Sequence, residues 1–278
     1  MDKIAIISDI HGNLEALTTV LNDIHDRGIN KIYCLGDILA KGAHQQECAD
    51  LIRKHCEVII KGNCDEIISM NFGESNLRAI TETDYNWNRS QINDETADFF
   101  RNLPYCHEFY MSGRLIRLLH AHPESVEKVV ASIDKLENFY SLFLPSSYTS
   151  TDKKADILIY GHLHTPFSQK IYNRFILNPG SVGNAMDVIR NDEKDGDVRN
   201  TTVANYLILS GKLDSNDFNN PISFEFVNIP YNIEKELSAN SDNYALDFYS
   251  DELRNGKYRE MDRINKNFAS RGIDVDNI

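Results

Sequence analysis

The sequence has few positive charges and few cysteines, and each scarcity excludes a class of protein. Lysine and arginine number 29 against 42 aspartates and glutamates, so the formal net charge is −13. A chain this acidic lacks the basic surface with which proteins bind a nucleic-acid duplex. The 5 cysteines include no Cys-x-x-Cys pair and give no disulfide framework. We therefore expect reduced thiols and no duplex nucleic acid among the partners.

Long hydrophobic runs are also missing from the sequence. No stretch is long enough to cross a membrane, and the first residues lack the basic flank and apolar core of a signal peptide. We therefore expect a cytoplasmic protein without a membrane partner. The 278 residues are enough to bury a large core, and we expect one domain over residues 1–278.

Short apolar runs alternate with helical patterns in the first 65 residues. Buried strands are predicted over 4–7, 31–35 and 57–61, with helices between them. Asn13 is a candidate N-cap for the first helix. The strand–helix–strand order predicts an α/β fold with parallel strands. Each of the three strands is followed by Asp or Asn at its carboxyl end, where open α/β sheets bind their ligands.

Several strand ends carry side chains of the types that bind metals. They are Asp9-x-His11, Gly36-Asp37, Gly62-Asn63, His120 and Gly161-His162-x-His164. A single Gly-Asp is usually a turn, but five such segments in one chain are hard to assign to chance. Imidazole, carboxylate and amide ligands favour Mn²⁺, Fe, Zn²⁺, Ni²⁺ or Co²⁺, and we expect two divalent cations, with Mn²⁺ as the first choice. A pair of cations serves the in-line displacement of phosphate ester hydrolysis.

In this order the motifs resemble those of the calcineurin-like metallophosphoesterases, over roughly the first two-thirds of the chain. The resemblance implies a four-layer α/β sandwich of two mixed β-sheets flanked by helices, and hydrolysis by a metal-bridging hydroxide. It also implies one cation on Asp9, His11 and His164, another on Asn63, His120 and His162, and a bridging Asp37. The family also has a turn like Asn178-Pro-Gly-Ser181 near the site, which we interpret as structural.

One position departs from the commonest family pattern. Many members carry His after the Asn, where it assists the leaving group, whereas this chain has Cys64, as in the small bacterial and archaeal phosphodiesterases. A thiol is a weaker acid than imidazolium, so we interpret Cys64 as a packing residue. Two candidate catalytic residues remain. His122 is either the missing acid or a hydrogen-bonded bystander, and Asp65 either orients a metal ligand or caps a helix.

The Trp87-x-Arg89-x-Gln91 segment and the tail from Tyr231 to about Tyr258 resemble a bacterial subgroup described as protein phosphatases or asymmetrical dinucleoside tetraphosphate hydrolases. We expect residues 70–104 to form a helical cover, either packed on the core or serving as a substrate lid with Trp87. Residues 231–278 are expected to form a helical extension.

The leading hypothesis is hydrolysis of phosphodiester or phosphoanhydride bonds in a small phosphorylated substrate, nucleotides included. One alternative is a phosphomonoesterase, including a phosphoprotein phosphatase. The other is a non-catalytic protein-binding scaffold, as in the retromer subunit that has this fold.

Overall fold

A computed structural model describes residues 1–75, 77, 80–130, 135–187, 199–200, 203–239, 249–250 and 252–254. The strands are β1 (Asp2–Ile7), β2 (Lys31–Cys34), β3 (Val58–Ile59), β4 (Cys106–Met111), β5 (Arg114–Leu119), β6 (Ile157–Tyr160), β7 (Phe167–Ile171), β8 (Arg174–Asn178), β9 (Met186–Asp187), β10 (Arg199–Asn200), β11 (Val203–Gly211) and β12 (Ser223–Pro230). The helices are α1 (Leu14–Asp26), α2 (Gln45–His55), α3 (Asn63–Ser69), α4 (Glu82–Ser90), α5 (Asp94–Arg101), α6 (Leu136–Leu142) and α7 (Ile233–Ser238).

The strands form two five-stranded mixed sheets and one short pair, β9 with β10. The first sheet has the order β12-β11-β1-β2-β3, in which β1, β2 and β3 run parallel. The second has the order β4-β5-β6-β8-β7, in which β5, β6 and β8 run parallel. Because parallel strands end at the same edge of their sheet, the polar segments that follow them are brought together.

Apolar layers hold the two sheets and the helices together. Side chains alternate along a strand, so Ile6 of β1 packs with Leu118 of β5 between the sheets. The next residue, Ile7, faces the other way and belongs to a cluster with Leu17 of α1. Phe139 of α6 is part of the core on the outer side of the second sheet. The predicted four-layer sandwich of two mixed sheets flanked by helices is confirmed.

One local detail differs from the sequence-based predictions. The third strand spans only Val58–Ile59 instead of 57–61. Farther along the chain, β7 and β8 form a hairpin that turns at Tyr172, whose φ is 53°. Asn13 caps α1 as predicted, since its side chain accepts a hydrogen bond from the Ala16 N–H.

Parts of two predicted segments lie outside the described residues, namely 76 and 78–79 of the cover and most of 240–278 of the extension. In the described part of the chain, no helix combines the length and the apolar character needed to cross a bilayer. All five cysteines are described, and each is free, as the sequence predicts.

Candidate metal centre

The segments that follow the parallel strands of both sheets meet at one edge of the sandwich. His162, after β6, donates its backbone N–H to Asp9 Oδ2, after β1, at 3.0 Å. His120, after β5, is joined through Nδ1 to the Leu35 carbonyl, after β2, at 2.8 Å. The two sheets therefore present their strand ends to one another. All seven side chains that the sequence predicts as metal ligands lie at this edge.

Asp9, His11 and His164 form the first group, in which the candidate ligand atoms lie within 4.8 Å of one another. His11 Nδ1 bonds to the Leu39 carbonyl at 3.2 Å and His164 Nδ1 bonds to the Asn184 carbonyl at 2.6 Å. Since carbonyl oxygens only accept, both Nδ1 atoms donate, and in the neutral rings both Nε2 atoms carry lone pairs. These two Nε2 atoms are 3.1 Å apart. Lone pairs this close repel, so the arrangement suits a cation.

The Asp9 carboxylate completes this first group. Its Oδ1 is buried, has no hydrogen-bond partner among the described residues, and lies 3.3 Å from His164 Nε2. Burial would raise the pKa of Asp9, but His164 and His120 together lower it to about 2. An ionised, fully buried carboxylate oxygen without a donor fits a bound cation.

Asp37, His120 and His162 form the second group, and their candidate ligand atoms also lie within 4.8 Å of one another. His120 donates through Nδ1 to Leu35, so its Nε2 points at Asn63 Oδ1, 3.0 Å away, and at Asp37 Oδ1, 3.4 Å away. In the neutral ring Nε2 also carries a lone pair, so three acceptors face one another. A positive charge is therefore needed between Nε2 and the two oxygens. A proton can supply it: burial would lower the pKa of His120, but Asp37, together with Asp9 and the Leu35 carbonyl, raises it to about 9. A metal cation fits the same place.

Asp37 lies between the two groups. Its Oδ2 is 3.8 Å from His11 Nε2 and its Oδ1 is 3.4 Å from His120 Nε2. Burial opposes its ionisation, but the nearby His120 holds the pKa of Asp37 well below its usual range. The side chains present therefore fit two divalent cations with a carboxylate between them, and the ligand roles that the family resemblance implies stay predictions.

The backbone is strained at most of these positions. The φ angles of five candidate ligands lie between 51° and 67°, in Asp9, His11, Asp37, His162 and His164. Residues other than glycine rarely adopt this left-handed conformation, and it persists only where the surrounding structure fixes it. Such clustered strain is typical of functional sites.

Two glycines of the motifs allow the loops to approach this closely. A Cβ added to Gly62 would lie 2.1 Å from Asp37 Oδ1, and one added to Gly161 would lie 2.0 Å from Ser8 Oγ. Any larger residue would push the strand ends apart. The glycine that precedes Asn63 and the one that precedes His162 are therefore required by close packing at the site.

Asp65 is fully buried, and its hydrogen bonds fit both of the alternatives that the sequence left open. Its Oδ2 accepts from the backbone N–H groups of Asp37 at 2.8 Å and Gly62 at 3.0 Å. Its Oδ1 accepts from those of Ile38 at 2.9 Å and Leu39 at 3.1 Å. Burial and the nearby Asp37 raise the pKa of Asp65 to about 7, although the four donors favour its ionised form. Asp65 thus caps α3 and positions the loop that carries Asp37.

We expect Asp65→Asn to weaken metal binding about 10–100-fold, the range measured when outer-shell partners of metal ligands are changed. An amide replaces one accepting oxygen with an NH₂ group that faces two N–H donors. Each donor left unsatisfied costs about 1–3 kcal/mol of unfolding free energy. Titration calorimetry with Mn²⁺ and urea unfolding measure the two effects. Asp98→Asn, at an exposed carboxylate on α5, is the control. Unchanged Mn²⁺ affinity in Asp65→Asn would contradict the positioning role.

The contacts of His122 favour the bystander alternative. Its Nδ1 accepts from the Glu124 N–H at 3.1 Å, and its Nε2 lies 3.2 Å from Ser141 Oγ of α6. Burial lowers the pKa of His122 to about 4, so the ring is neutral at neutral pH. The hydrogen bonds described for it lead away from the candidate ligands. A catalytic role for His122 stays a prediction.

Cys64 has a position that the sequence did not predict. Its sulfur lies within 4.8 Å of the ligand atoms of His11 and Asp37, and its N–H donates to Asp37 Oδ1 at 2.8 Å. The thiol therefore borders the candidate metal centre, and its interpretation as a packing residue stays a prediction. Burial raises the pKa of Cys64 well above its usual value, which keeps it a neutral thiol.

Asn178-Pro-Gly-Ser181 is structural, as predicted. Asn178 Nδ2 donates to the Gly161 carbonyl at 2.7 Å, and Ser181 Oγ donates to the Asp9 carbonyl at 2.6 Å. The turn therefore ties the loops of both sheets that carry the candidate ligands.

Two residues near the site were missed by the sequence analysis. The backbone carbonyl of Asn184 holds the His164 ring, as described above. Lys41 places a positive charge near the site: after burial, this charge is the next largest cause of the lowered pKa of His11. Lys41 follows the Gly36-Asp37 motif, and Asn184 follows the turn that ends at Ser181. Each of the two residues lies a few positions after a motif that the sequence analysis named. A search of the residues that follow each motif could therefore have identified them.

Comparisons with known proteins identify the family. Residues 2–193 match the family model described as the calcineurin-like phosphoesterase superfamily domain. An uncharacterized protein of Methanocaldococcus jannaschii, MJ0912, is 34% identical over 218 residues, which cover 69% of this chain and 83% of the relative. The phosphodiesterase YfcE of Escherichia coli K12 is 24% identical over 192 residues, 66% of this chain and 80% of that protein.

Solved structures show the same fold. A metallophosphoesterase from Sphaerobacter thermophilus superimposes with a TM-score of 0.64 at 20% identity, over 92% of this chain and 99% of that one. The hypothetical protein PH1004 from Pyrococcus horikoshii OT3 gives a TM-score of 0.61 at 16% identity, over 88% and 96% of the two chains. Since the family model covers more than half of the residues, this chain belongs to the calcineurin-like phosphoesterase superfamily.

Proposed function

We propose that this protein is a binuclear metal-dependent phosphoesterase that hydrolyses phosphodiester or phosphoanhydride bonds of small substrates. The observation that carries the proposal is that Asp37 lies close to both groups of candidate ligands. Within each group, the ligand atoms lie within 4.8 Å of one another. Two divalent cations bound there would lower the pKa of a water molecule and polarise the phosphoryl oxygens. Mn²⁺ is the first choice, with Fe, Zn²⁺, Ni²⁺ and Co²⁺ as alternatives.

The protein's own residues orient the centre and attract the substrate. The carbonyls of Leu39 and Asn184 fix the rings of His11 and His164, so that each Nε2 points into the first group. Lys41 adds a fixed positive charge close to His11. In a chain with a net charge of −13, this lysine and the cations would make the site locally attractive to a phosphate.

Cys64 suggests which phosphate esters are hydrolysed fastest. It stands beside Asp37, where many family members carry an imidazole, and its neutral thiol is a poor proton donor. Esters whose leaving group is already a stable anion need no such donor. Aryl diesters and phosphoanhydrides, among them dinucleoside tetraphosphates, are of this kind. A phosphomonoesterase is the second candidate.

A substrate panel tests the proposal. The Mn²⁺-loaded protein is assayed with bis(4-nitrophenyl) phosphate, diadenosine tetraphosphate, a phosphoserine peptide and glycerol phosphate, with EDTA-treated protein as the control. We expect the first two to be hydrolysed about 100-fold faster than the last two, which require a proton donor. Faster hydrolysis of the peptide would indicate a phosphoprotein phosphatase. No hydrolysis of any compound by the metal-bound protein would indicate a scaffold.

The helices of the cover contact the core at α3 and α2. Two guanidinium nitrogens of Arg101 on α5 donate to the Ser69 carbonyl at the end of α3, the helix that begins at Asn63. Asn88 on α4 accepts from Gln45 Nε2 on α2 at 2.8 Å. The cover is thus anchored to the core on two sides, and a lid role for it stays a prediction.

If the cover binds a nucleobase, Trp87→Ala should raise the KM for diadenosine tetraphosphate about 5–150-fold. Stacking of a base on an aromatic ring contributes about 1–3 kcal/mol. The KM for bis(4-nitrophenyl) phosphate should hardly change. Tyr172→Ala, at an aromatic residue that is 74% exposed in the turn between β7 and β8, is the control. Equal losses with both substrates would show damaged packing and rule out the lid.

A further inference from the structure

The chain that follows β12 returns to the candidate metal centre from outside the first sheet. Glu236 of α7 is fully buried, accepts from the Glu15 N–H at 3.2 Å and lies 3.2 Å from His44 Nδ1. It thereby fastens α7 to the start of α1. Residues 249–250 and 252–254, here named the C-terminal strap, are helical, and Leu253 packs in a small core with Leu237 of α7.

Tyr249 of the C-terminal strap contacts the loops that flank Asp9. Its hydroxyl is buried, donates to the Gly183 carbonyl at 2.6 Å and accepts from Asn13 Nδ2 at 3.0 Å. Asn13 Nδ2 also donates to the Gly183 carbonyl, at 3.0 Å. The N–H of Gly183 in turn donates to the Asp9 carbonyl at 3.0 Å. Tyr249 is therefore linked to Asp9 through a single intervening residue.

Glu252 makes the corresponding link to His164. It is 1% exposed, and its Oε2 accepts from Asn184 Nδ2 at 2.9 Å. The carbonyl of Asn184 is the group that holds His164 Nδ1. The same Oε2 lies 3.8 Å from Lys41 Nζ, whose charge acts on His11. A buried carboxylate needs such partners.

We propose that Tyr249 and Glu252 are positioning residues for one half of the metal centre, the Asp9–His11–His164 half. The contacts described for their side chains reach Asn13, Lys41, Gly183 and Asn184, all of which adjoin this half. The proposal rests on the metal centre of the proposed function. It adds that the C-terminal strap controls the affinity of one cation and leaves the other unaffected.

Calorimetric titration of the full chain with Mn²⁺ measures both affinities. We expect wild type to bind two cations and Glu252→Ala to bind one of them about tenfold more weakly, the lower end of the effect of outer-shell partners. Glu252→Gln keeps an oxygen that can accept from Asn184 and should restore most of this loss. Glu234→Gln changes an exposed carboxylate that pairs with Arg254 of the same strap, and should have no effect.

Two backgrounds identify the affected half. His120→Ala leaves the Asp9–His11–His164 half intact, and adding Glu252→Ala should weaken the remaining site about tenfold. In the His164→Ala background, the same change should have no effect. Equal losses of Mn²⁺ affinity in both backgrounds would mean that the C-terminal strap merely supports the fold, which would overturn the proposal. An unchanged Mn²⁺ affinity in both backgrounds would overturn it as well.

Two further measurements separate the possible failures. If Glu252→Ala does not fold, Tyr249→Phe replaces it, since phenylalanine keeps the ring and removes only the hydroxyl that bonds to Gly183 and Asn13. The same selective loss is expected. Wild-type protein that binds two cations without hydrolysing any phosphate ester contradicts the proposed function alone. Wild-type protein that binds fewer than two contradicts this inference as well.

Discussion

Asp37→Asn should lower the turnover of bis(4-nitrophenyl) phosphate about 100-fold or more at limiting Mn²⁺. Asparagine keeps the shape of the side chain, and its Oδ1 can still accept from the Cys64 N–H, as Asp37 does at 2.8 Å. What is lost is the negative charge that faces both groups of candidate ligands. Cations that repel each other need this charge between them.

The control for this substitution is Asp50→Asn, at an exposed position of α2. It removes one negative charge from the chain but leaves the metal centre unchanged, so turnover should stay at the wild-type value. Calorimetry should show that Asp37→Asn has lost affinity for both cations. Turnover of Asp37→Asn within about tenfold of wild type would contradict the bridging position.

Cys64→His should raise the turnover of alkyl phosphomonoesters selectively, by about 100-fold or more, since general acid catalysis typically contributes 10²–10⁴-fold. An alkoxide leaving group needs a proton, and the neutral thiol at position 64 supplies little at neutral pH. The sulfur lies within 4.8 Å of ligand atoms of His11 and Asp37, so an imidazole placed there would face the same centre. The turnover of aryl diesters should change little.

Two variants control this experiment. Cys64→Ala removes the thiol without adding an acid and should leave the turnover of monoesters low. His122→Ala tests the other candidate acid, and we expect little effect because its ring is neutral and bonded to Ser141 and Glu124. If wild type already prefers alkyl monoesters and loses that preference in His122→Ala, His122 is the acid after all.

The candidate ligands could be predicted from the sequence because each one is encoded locally. Asp9, Asp37 and His120 follow short apolar runs, and the ends of parallel strands necessarily meet at one edge. Glycine before Asp37 and before His162 marked the tight turns. The fold class follows from the same alternation of strands and helices, together with the family resemblance.

The supporting contacts could not be predicted, because they join residues far apart in the chain. Asp65 bonds to the loop that begins at Asp37, 28 positions earlier, and Glu252 bonds to Asn184, 68 positions earlier. A buried acidic residue in a helix has no local pattern that reveals its partner. The contacts of Cys64 could not be predicted for a related reason, since its neighbours come from two other strand ends.

The most direct test of the account is a titration of Mn²⁺ into metal-free protein, with hydrolysis of bis(4-nitrophenyl) phosphate measured at each addition. The account predicts little turnover at one cation per chain and full turnover at two, because the reaction requires both halves of the centre around Asp37. Full turnover at one cation per chain, or without metal, would contradict it.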